Sequence, residues 1–174
     1  MQPKIHIIGS VGSGKSTLAR KLSATLDLPY YELDNIVWRR VPEGPDIRNP
    51  DEERDRLFHG ILATDGWIVE GAHRNWVQPS WERADLIVYL DTPIRKRNYR
   101  ILKRFLVQKL GFEKGNYKQS FDMLAKMYRW SYNHARTDKP KLMEQLKPYG
   151  DKLVILADNT ELDRVIRHVR GDKR

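Results

Sequence analysis

Short runs of β-branched and apolar residues alternate along this chain with longer stretches in which apolar positions recur every three to four residues. "KIHIIG" (4–9) opens the series as an extended run, and "KSTLARKLSATLDL" (15–28) follows with helical spacing. "YYEL" (30–33) is again extended, and a polar loop containing Pro and Gly, "RRVPEGPDIRNP" (39–50), comes next. Asn49 and Pro50, with Glu52 three residues after Asn49, predict a helix start, because Asn accepts bonds from free backbone N–H groups and Pro suits the first helical position. That helix is expected over "DEERDRLFHGILAT" (51–64). "WIVEG" (67–71) and "DLIVYLD" (85–91) are two further strands, and the second leads into a basic helix, "TPIRKRNYRILKRFLVQKL" (92–110). Residues 117–147 read as mainly helical, "KLVILA" (152–157) as a fifth strand and "TELDRVIRHVR" (160–170) as a closing helix. Strands alternating with helices imply an α/β fold with a parallel sheet covered on both faces.

Composition narrows the picture. With 174 residues and 40% hydrophobic positions, the chain suits one domain with a sizeable core, expected over 1–174. It has no apolar run of membrane-spanning length and no charged-then-apolar leader, so a protein that is soluble, uncleaved and without a membrane partner is expected. The absence of cysteine excludes disulfides and thiolate metal sites and suits a cytoplasmic location. The formal net charge is +9, and its excess is concentrated between Arg95 and Lys118, where nine basic residues face a single acid, Glu113. An anionic partner is expected for that stretch.

The chemistry lies between the first strand and the first helix. Gly9-x-x-x-x-Gly14-Lys15-Ser16, within "GSVGSGKST", fits the P-loop pattern in the context its mechanism requires. Gly9, Ser10, Gly12, Ser13 and Gly14 let backbone N–H groups curl around phosphate oxygens, and the helix N-terminus adds positive potential. Lys15 can reach the β- and γ-phosphates of ATP, and Ser16, with Thr17 beside it, can place a hydroxyl on Mg²⁺.

Two further phrases carry a family resemblance. "VEGAHR" (69–74) resembles the Asp-Gly-Phe-Pro-Arg segment of adenylate-kinase-type enzymes. "LDTPIRKRNYRILKR" (90–104) resembles their Asp-x-Pro segment, and counted from Asp91 the arginines Arg100 and Arg104 fall at the family spacing. With "ELDNIVW" and "WIVEG", the chain most resembles the small FlaR-like DNA topology modulation proteins among the adenylate-kinase-related P-loop kinases. The resemblance implies a five-stranded parallel sheet in the order 2-3-1-4-5, an acceptor-binding region over 34–65 and a helical lid over 105–137, with "LGFEKGNYKQS" (110–120) at the lid tip.

Site residues follow from both readings. Glu70 ends a buried strand beside the P-loop, where a carboxylate can hold Mg²⁺ through water; the family usually has Asp there. Gly71 would let a ligand approach the backbone, and Arg74 matches the family's phosphate-binding arginine. Arg100 and Arg104 share one helix face, and the resemblance to adenylate-kinase-like enzymes implies that the first packs against the nucleotide base and the second reaches the phosphates. Arg129 and Arg136 are candidate lid arginines. Asp34 suits either a helix N-cap or a group that orients or deprotonates an acceptor hydroxyl, as in shikimate- and gluconate-kinase-like enzymes. Trp38 suits packing or stacking on a flat acceptor. "ADNT" (157–160) is the candidate base-contacting loop. No histidine pair has metal-ligand spacing, and His6, His59, His73, His134 and His168 are given no catalytic part.

The function expected is an ATP-dependent kinase acting on an unidentified small molecule or nucleotide. The competing reading is an ATP-binding regulator of DNA topology whose basic stretch binds nucleic acid, a binding that would fall steeply with salt. The kinase is favoured, because a basic helix beside a P-loop already suits triphosphate binding and no helix-turn-helix or RNA-binding signature is present.

Overall fold

A computed structural model describes residues 2–41, 44, 46–110 and 120–171. Its centre is a five-stranded parallel sheet of β1 (Lys4–Gly9), β2 (Tyr30–Glu32), β3 (Trp67–Gly71), β4 (Leu86–Leu90) and β5 (Leu153–Leu156), in the order β2-β3-β1-β4-β5. This is the expected 2-3-1-4-5 arrangement. β1 lies in the middle with Ile5 opposite both Ile68 and Leu86, so its residues are flanked by backbone on both edges.

Side-chain alternation explains how the sheet takes two coats of helices. Ile5, Ile7, Ile68, Val88, Leu90 and Leu156 point to one face, where they meet Leu18, Ala19 and Leu22 of α1 (Lys15–Leu26) and Val165 of α8 (Leu162–Val169). Ile8, Trp67, Val69, Ile87 and Tyr89 point to the other. There they meet Phe58 and Leu62 of α3 (Asp51–Leu62), Trp81 of α4 (Gln78–Arg83), and Leu142 and Leu146 of α7 (Lys139–Leu146). Each such aliphatic side chain contributes about 1.5–3 kcal/mol by leaving water.

Four local features differ from the sequence expectation. Leu33 leaves the second strand and starts a short helix, α2 (Leu33–Val37), with its side chain fully buried. The polar loop after it contains a small antiparallel hairpin, Trp38–Arg39 against Ile47–Arg48. Asn49 does not cap α3, for Pro50 occupies the N-cap position, and the Asn49 amide instead donates to the Ile36 carbonyl at 2.8 Å. Residues 78–83, given no element from the sequence, form α4, with Pro79 in its first turn, where its missing N–H costs nothing.

The basic helix is α5 (Ile94–Lys109), packed on α6 (Phe121–Asn133). A π-helical turn, His134–Asp138, joins α6 to α7. The expected lid, 105–137, therefore comprises the end of α5, α6 and part of this turn, while residues 111–119 at its tip lie outside the described residues. No helix among the described residues is long and apolar enough to cross a membrane.

Candidate active site

The carboxyl ends of β1, β3 and β4 converge on the loop between β1 and α1. Gly12 and Gly14 adopt positive φ angles of 74° and 97°, which side-chain-bearing residues rarely adopt. The loop is also hemmed in: a Cβ at Gly12 would lie 2.8 Å from the Arg97 carbonyl, and one at Gly14 2.8 Å from Asn159. Ser10 and Ser13 are buried, and Ser13 Oγ has no hydrogen-bond partner among the described residues. An orphaned buried hydroxyl in a glycine-rich loop at a helix N-terminus suits an anion.

Lys15 and Ser16 begin α1 at the mouth of this loop. Lys15 Nζ donates to the Ser10 carbonyl at 2.9 Å. Burial pushes its pKa down, while Glu70 and Asp34 pull it up and Arg104 and Arg97 lower it further. Ser16 Oγ donates to Glu70 Oε1 at 2.5 Å. Burial raises the Glu70 carboxyl, opposed by Lys15 and by the Ser16 hydrogen bond, with Glu32 and Asp34 adding to the rise.

A polyphosphate with Mg²⁺ fits these residues. The glycine-rich loop, the unpartnered Ser13 hydroxyl and Lys15 suit phosphate, and Ser16 with Glu70 offers a hard oxygen pair. No group of three or more His, Cys, Asp or Glu among the described residues could enclose a metal. Mg²⁺ keeps waters and substrate phosphates as most of its ligands, so the oxygen pair of Ser16 and Glu70 could hold it. Thr17 follows Ser16 in α1, half-buried.

The arginines fall into different environments. Arg100 reaches back to the P-loop: Nη1 donates to the Ser13 carbonyl at 2.8 Å, and Nη2 to Asp158 Oδ2 at 2.8 Å and Asn159 Oδ1 at 2.7 Å. It thus joins the loop to "ADNT". Arg104, one turn on, is exposed and places Nη2 3.3 Å from Met127 Sδ of α6. Arg129 is exposed on α6, and Arg136 bonds to Tyr132 at 2.8 Å within its own arm. The structure therefore brings Arg100 to the phosphate loop and leaves Arg129 and Arg136 outside it.

The fate of the other cations bears on the basic stretch. Lys96 pairs with Asp158 at 2.9 Å, Arg97 is buried with Nη2 on the Ser131 carbonyl at 3.0 Å, and Lys109 sits 3.9 Å over the Phe121 ring. Much of the charge on α5 is thus engaged within the fold. The sequence does not single out Arg97, because it closes a run of three cations, Arg95, Lys96 and Arg97; only its helical register with buried Ile101 and Phe105 marks it as inward-facing.

Beside the P-loop opens a cavity of about 610 Å³, whose walls include Gly9, Ser10, Val11, Trp38, Arg48, Arg54, His73, Arg74, Trp76, His134 and Asp138. Arg74 faces Asp138 across it, with Nη1 on the Asp138 carbonyl at 3.2 Å and Nη2 on Oδ1 at 2.9 Å. Arg54 is paired with Asp51 and Asp55, each at 2.7 Å, and its guanidinium lies 4.8 Å from the Trp76 ring centre. Gly71 does not face the cavity: a Cβ there would meet Leu33 at 3.0 Å, so this glycine allows α2 to pack against β3. Asp34 is not an N-cap. Glu32 holds that position, and the Asp34 carboxylate instead accepts from His73 Nε2 at 3.0 Å. That bond, stronger than the opposing burial, holds the Asp34 carboxyl below its ordinary range.

No family model matches the chain. It is 31% identical over 122 residues to shikimate kinase 1 of Citrobacter koseri, covering 60% of this chain and 68% of that one. It is 26% identical over 174 aligned residues to a shikimate kinase of Haemophilus influenzae, covering 89% and 92%. An uncharacterized Bacillus subtilis protein, YqaC, is 32% identical over 93 residues, and the chain spans about half of it, 51%. Among solved structures, a shikimate kinase from Acinetobacter baumannii in complex with shikimate superposes with a TM-score of 0.60 at 14% identity, covering 99% of this chain and 96% of that one. The kinase half of the sequence expectation is upheld by these relatives; the narrower likeness to DNA topology modulation proteins and the nucleic-acid reading find no support in them. Together with the P-loop geometry, they show that the chain belongs to the shikimate-kinase-like P-loop kinases, phosphotransferases that use ATP with Mg²⁺.

Proposed function

We propose that this chain transfers the γ-phosphate of ATP to a hydroxyl of a small acceptor that carries an anionic group. The observation that carries the reading is the position of Asp34. Its carboxylate is hydrogen-bonded to a wall residue of the cavity, His73, and lies within electrostatic reach of Lys15 at the P-loop. A hydroxyl bonded to Asp34 would attack the γ-phosphorus; a new P–O bond forms, the β–γ bridging bond breaks, ADP leaves and the hydroxyl proton passes to Asp34.

The remaining parts suit such a transfer. Gly9 to Thr17 cradle the triphosphate, with Lys15 on its β- and γ-phosphates and Ser16 and Glu70 holding Mg²⁺, which neutralises phosphate charge. Arg100 supports the base side and Arg104 the phosphates, with Arg136 a further candidate from the lid arm. Charge spreads over the equatorial oxygens as the phosphoryl group moves, so nearby cations stabilise the transition state. Arg74, with Arg48 and Arg54 on the same cavity wall, favours an anionic acceptor, and Trp38 closes one side. Shikimate is the first candidate: it carries both hydroxyls and a carboxylate, and the named relatives are shikimate kinases.

The test is coupled ADP release with Mg-ATP against shikimate, gluconate, nucleosides and nucleoside monophosphates, with Lys15→Met as the blank. One hydroxyl acceptor should raise turnover by orders of magnitude, and Asp34→Asn should remove that gain. Acceptor-independent ATP hydrolysis across the whole panel would refute the reading.

A further inference from the structure

We infer that His73 is the positioning residue of this kinase, holding the Asp34 carboxylate toward the acceptor through a buttress of aromatic rings that starts in the core. The inference rests on the reading of Asp34 as the group that receives the hydroxyl proton. Nothing in the sequence marks His73, which directly precedes Arg74.

The buttress is a chain of contacts. Phe58, 1% exposed, packs edge-on to Trp76 with ring centres 5.0 Å apart at 79°. Trp76 lies 5.2 Å from the His73 ring at 48°, and Arg54, itself tied to Asp51 and Asp55, covers Trp76 from 4.8 Å. His73 Nε2 ends the chain 3.0 Å from Asp34 Oδ1. A carboxylate only accepts, so Nε2 carries the proton and the ring donates. α2, which carries Asp34, has five residues and no side-chain cap, so it cannot fix the carboxylate by itself. A catalytic group must be held to within about 0.5 Å by packed neighbours, and the ring chain supplies that restraint.

A purely stabilising ion pair is the poorer account. The side chains of His73 and Asp34 are 27% and 50% exposed, and pairs of that kind contribute little to folding. The groups that face Asp34 are His73 from the β3–α4 loop, Lys15 from α1 and Arg40 from the hairpin region, and Glu70 is within its electrostatic reach. Of these, His73 donates a hydrogen bond to it at 3.0 Å and is itself anchored to the core through Trp76 and Phe58.

Two measurements on the full chain test this. Nitrogen NMR of the imidazoles at neutral pH should find the His73 proton on Nε2, with a shift in its resonances in Asp34→Asn; a proton on Nδ1 alone would overturn the inference whatever becomes of the kinase reading. In steady-state kinetics with the most active acceptor of the panel, His73→Phe should lower kcat about 10- to 100-fold while KM for ATP stays within twofold. His73→Gln, which keeps a donor at similar reach, should recover most of the loss. Equal losses in the two variants, or no loss in His73→Phe, would refute the role, whereas a panel with no active acceptor would refute the kinase reading and leave NMR to decide on His73.

Discussion

Ser16 Oγ donates to Glu70 Oε1 across 2.5 Å, joining residues 54 apart in sequence and tying the first turn of α1 to the end of β3. This pair closes the phosphate loop on the side of the sheet where the cavity begins. Because the carboxylate is buried and its pKa raised, it is held at an energetic cost that an active-site role explains better than a folding role. Glu70→Gln should therefore raise the Mg²⁺ concentration needed for half-maximal ADP formation by about tenfold or more without lowering the melting temperature. A Mg²⁺ titration beside a thermal melt checks both.

Gly14→Ala should abolish nucleotide binding. The new methyl group would lie 2.8 Å from Asn159, at a backbone φ of 97°, and Asn159 is also a partner of Arg100. Backbone strain of this kind costs about 1–3 kcal/mol before any contact is counted. Wild-type protein should gain about 2.7 kcal/mol of stability at ATP a hundredfold above Kd, and the variant none. Melts with and without Mg-ATP give the answer.

Asp138 occupies Arg74, the cation proposed to hold an anionic acceptor. Asp138→Asn removes the competing charge while keeping the side-chain volume. The KM for an anionic acceptor is expected to fall by up to about fivefold, as one exposed ion pair is worth up to about 1 kcal/mol. The KM for ATP should not change, and initial rates against each substrate separate the two effects.

His6 ties stability to pH. It is fully buried, with Nδ1 donating to Ser80 Oγ at 2.7 Å, and Ser80 in turn donates to the Val77 carbonyl at 2.6 Å. Burial, with a smaller push from His73, lowers its pKa from 6.5 to about 3. The unfolded chain takes up this proton below 6.5 and the folded chain does not. Its contribution is thus present above 6.5 and is lost as pH falls toward 3, at up to about 1.4 kcal/mol per pH unit. Urea titrations from pH 7 to 5 should show this slope, and His6→Gln should flatten it.

Much of the fold was legible along the chain, because a strand buried on both faces must be apolar and a surface helix must repeat its apolar positions. "WIVEG" and "DLIVYLD" are such strands, and "GSVGSGKST" between a strand and a helix left little choice about the loop. The hairpin at Trp38–Arg39 and Ile47–Arg48 was not legible, since two paired residues leave no period to read. Gly71 was misread for a similar reason: a missing Cβ looks the same in sequence whether a ligand or Leu33 fills the space.

By itself the sequence determined the α/β class and the glycine-rich loop between the first strand and the first helix, since these depend on local periodicity and on backbone conformations that glycine alone adopts freely. Only the tertiary structure decided which charges meet. Arg100 joins Asp158, Arg74 joins Asp138, and Asp34 joins His73 rather than capping its helix. Each pair links distant parts of the chain, and hydrogen bonding acts through distances in space that residue spacing does not encode.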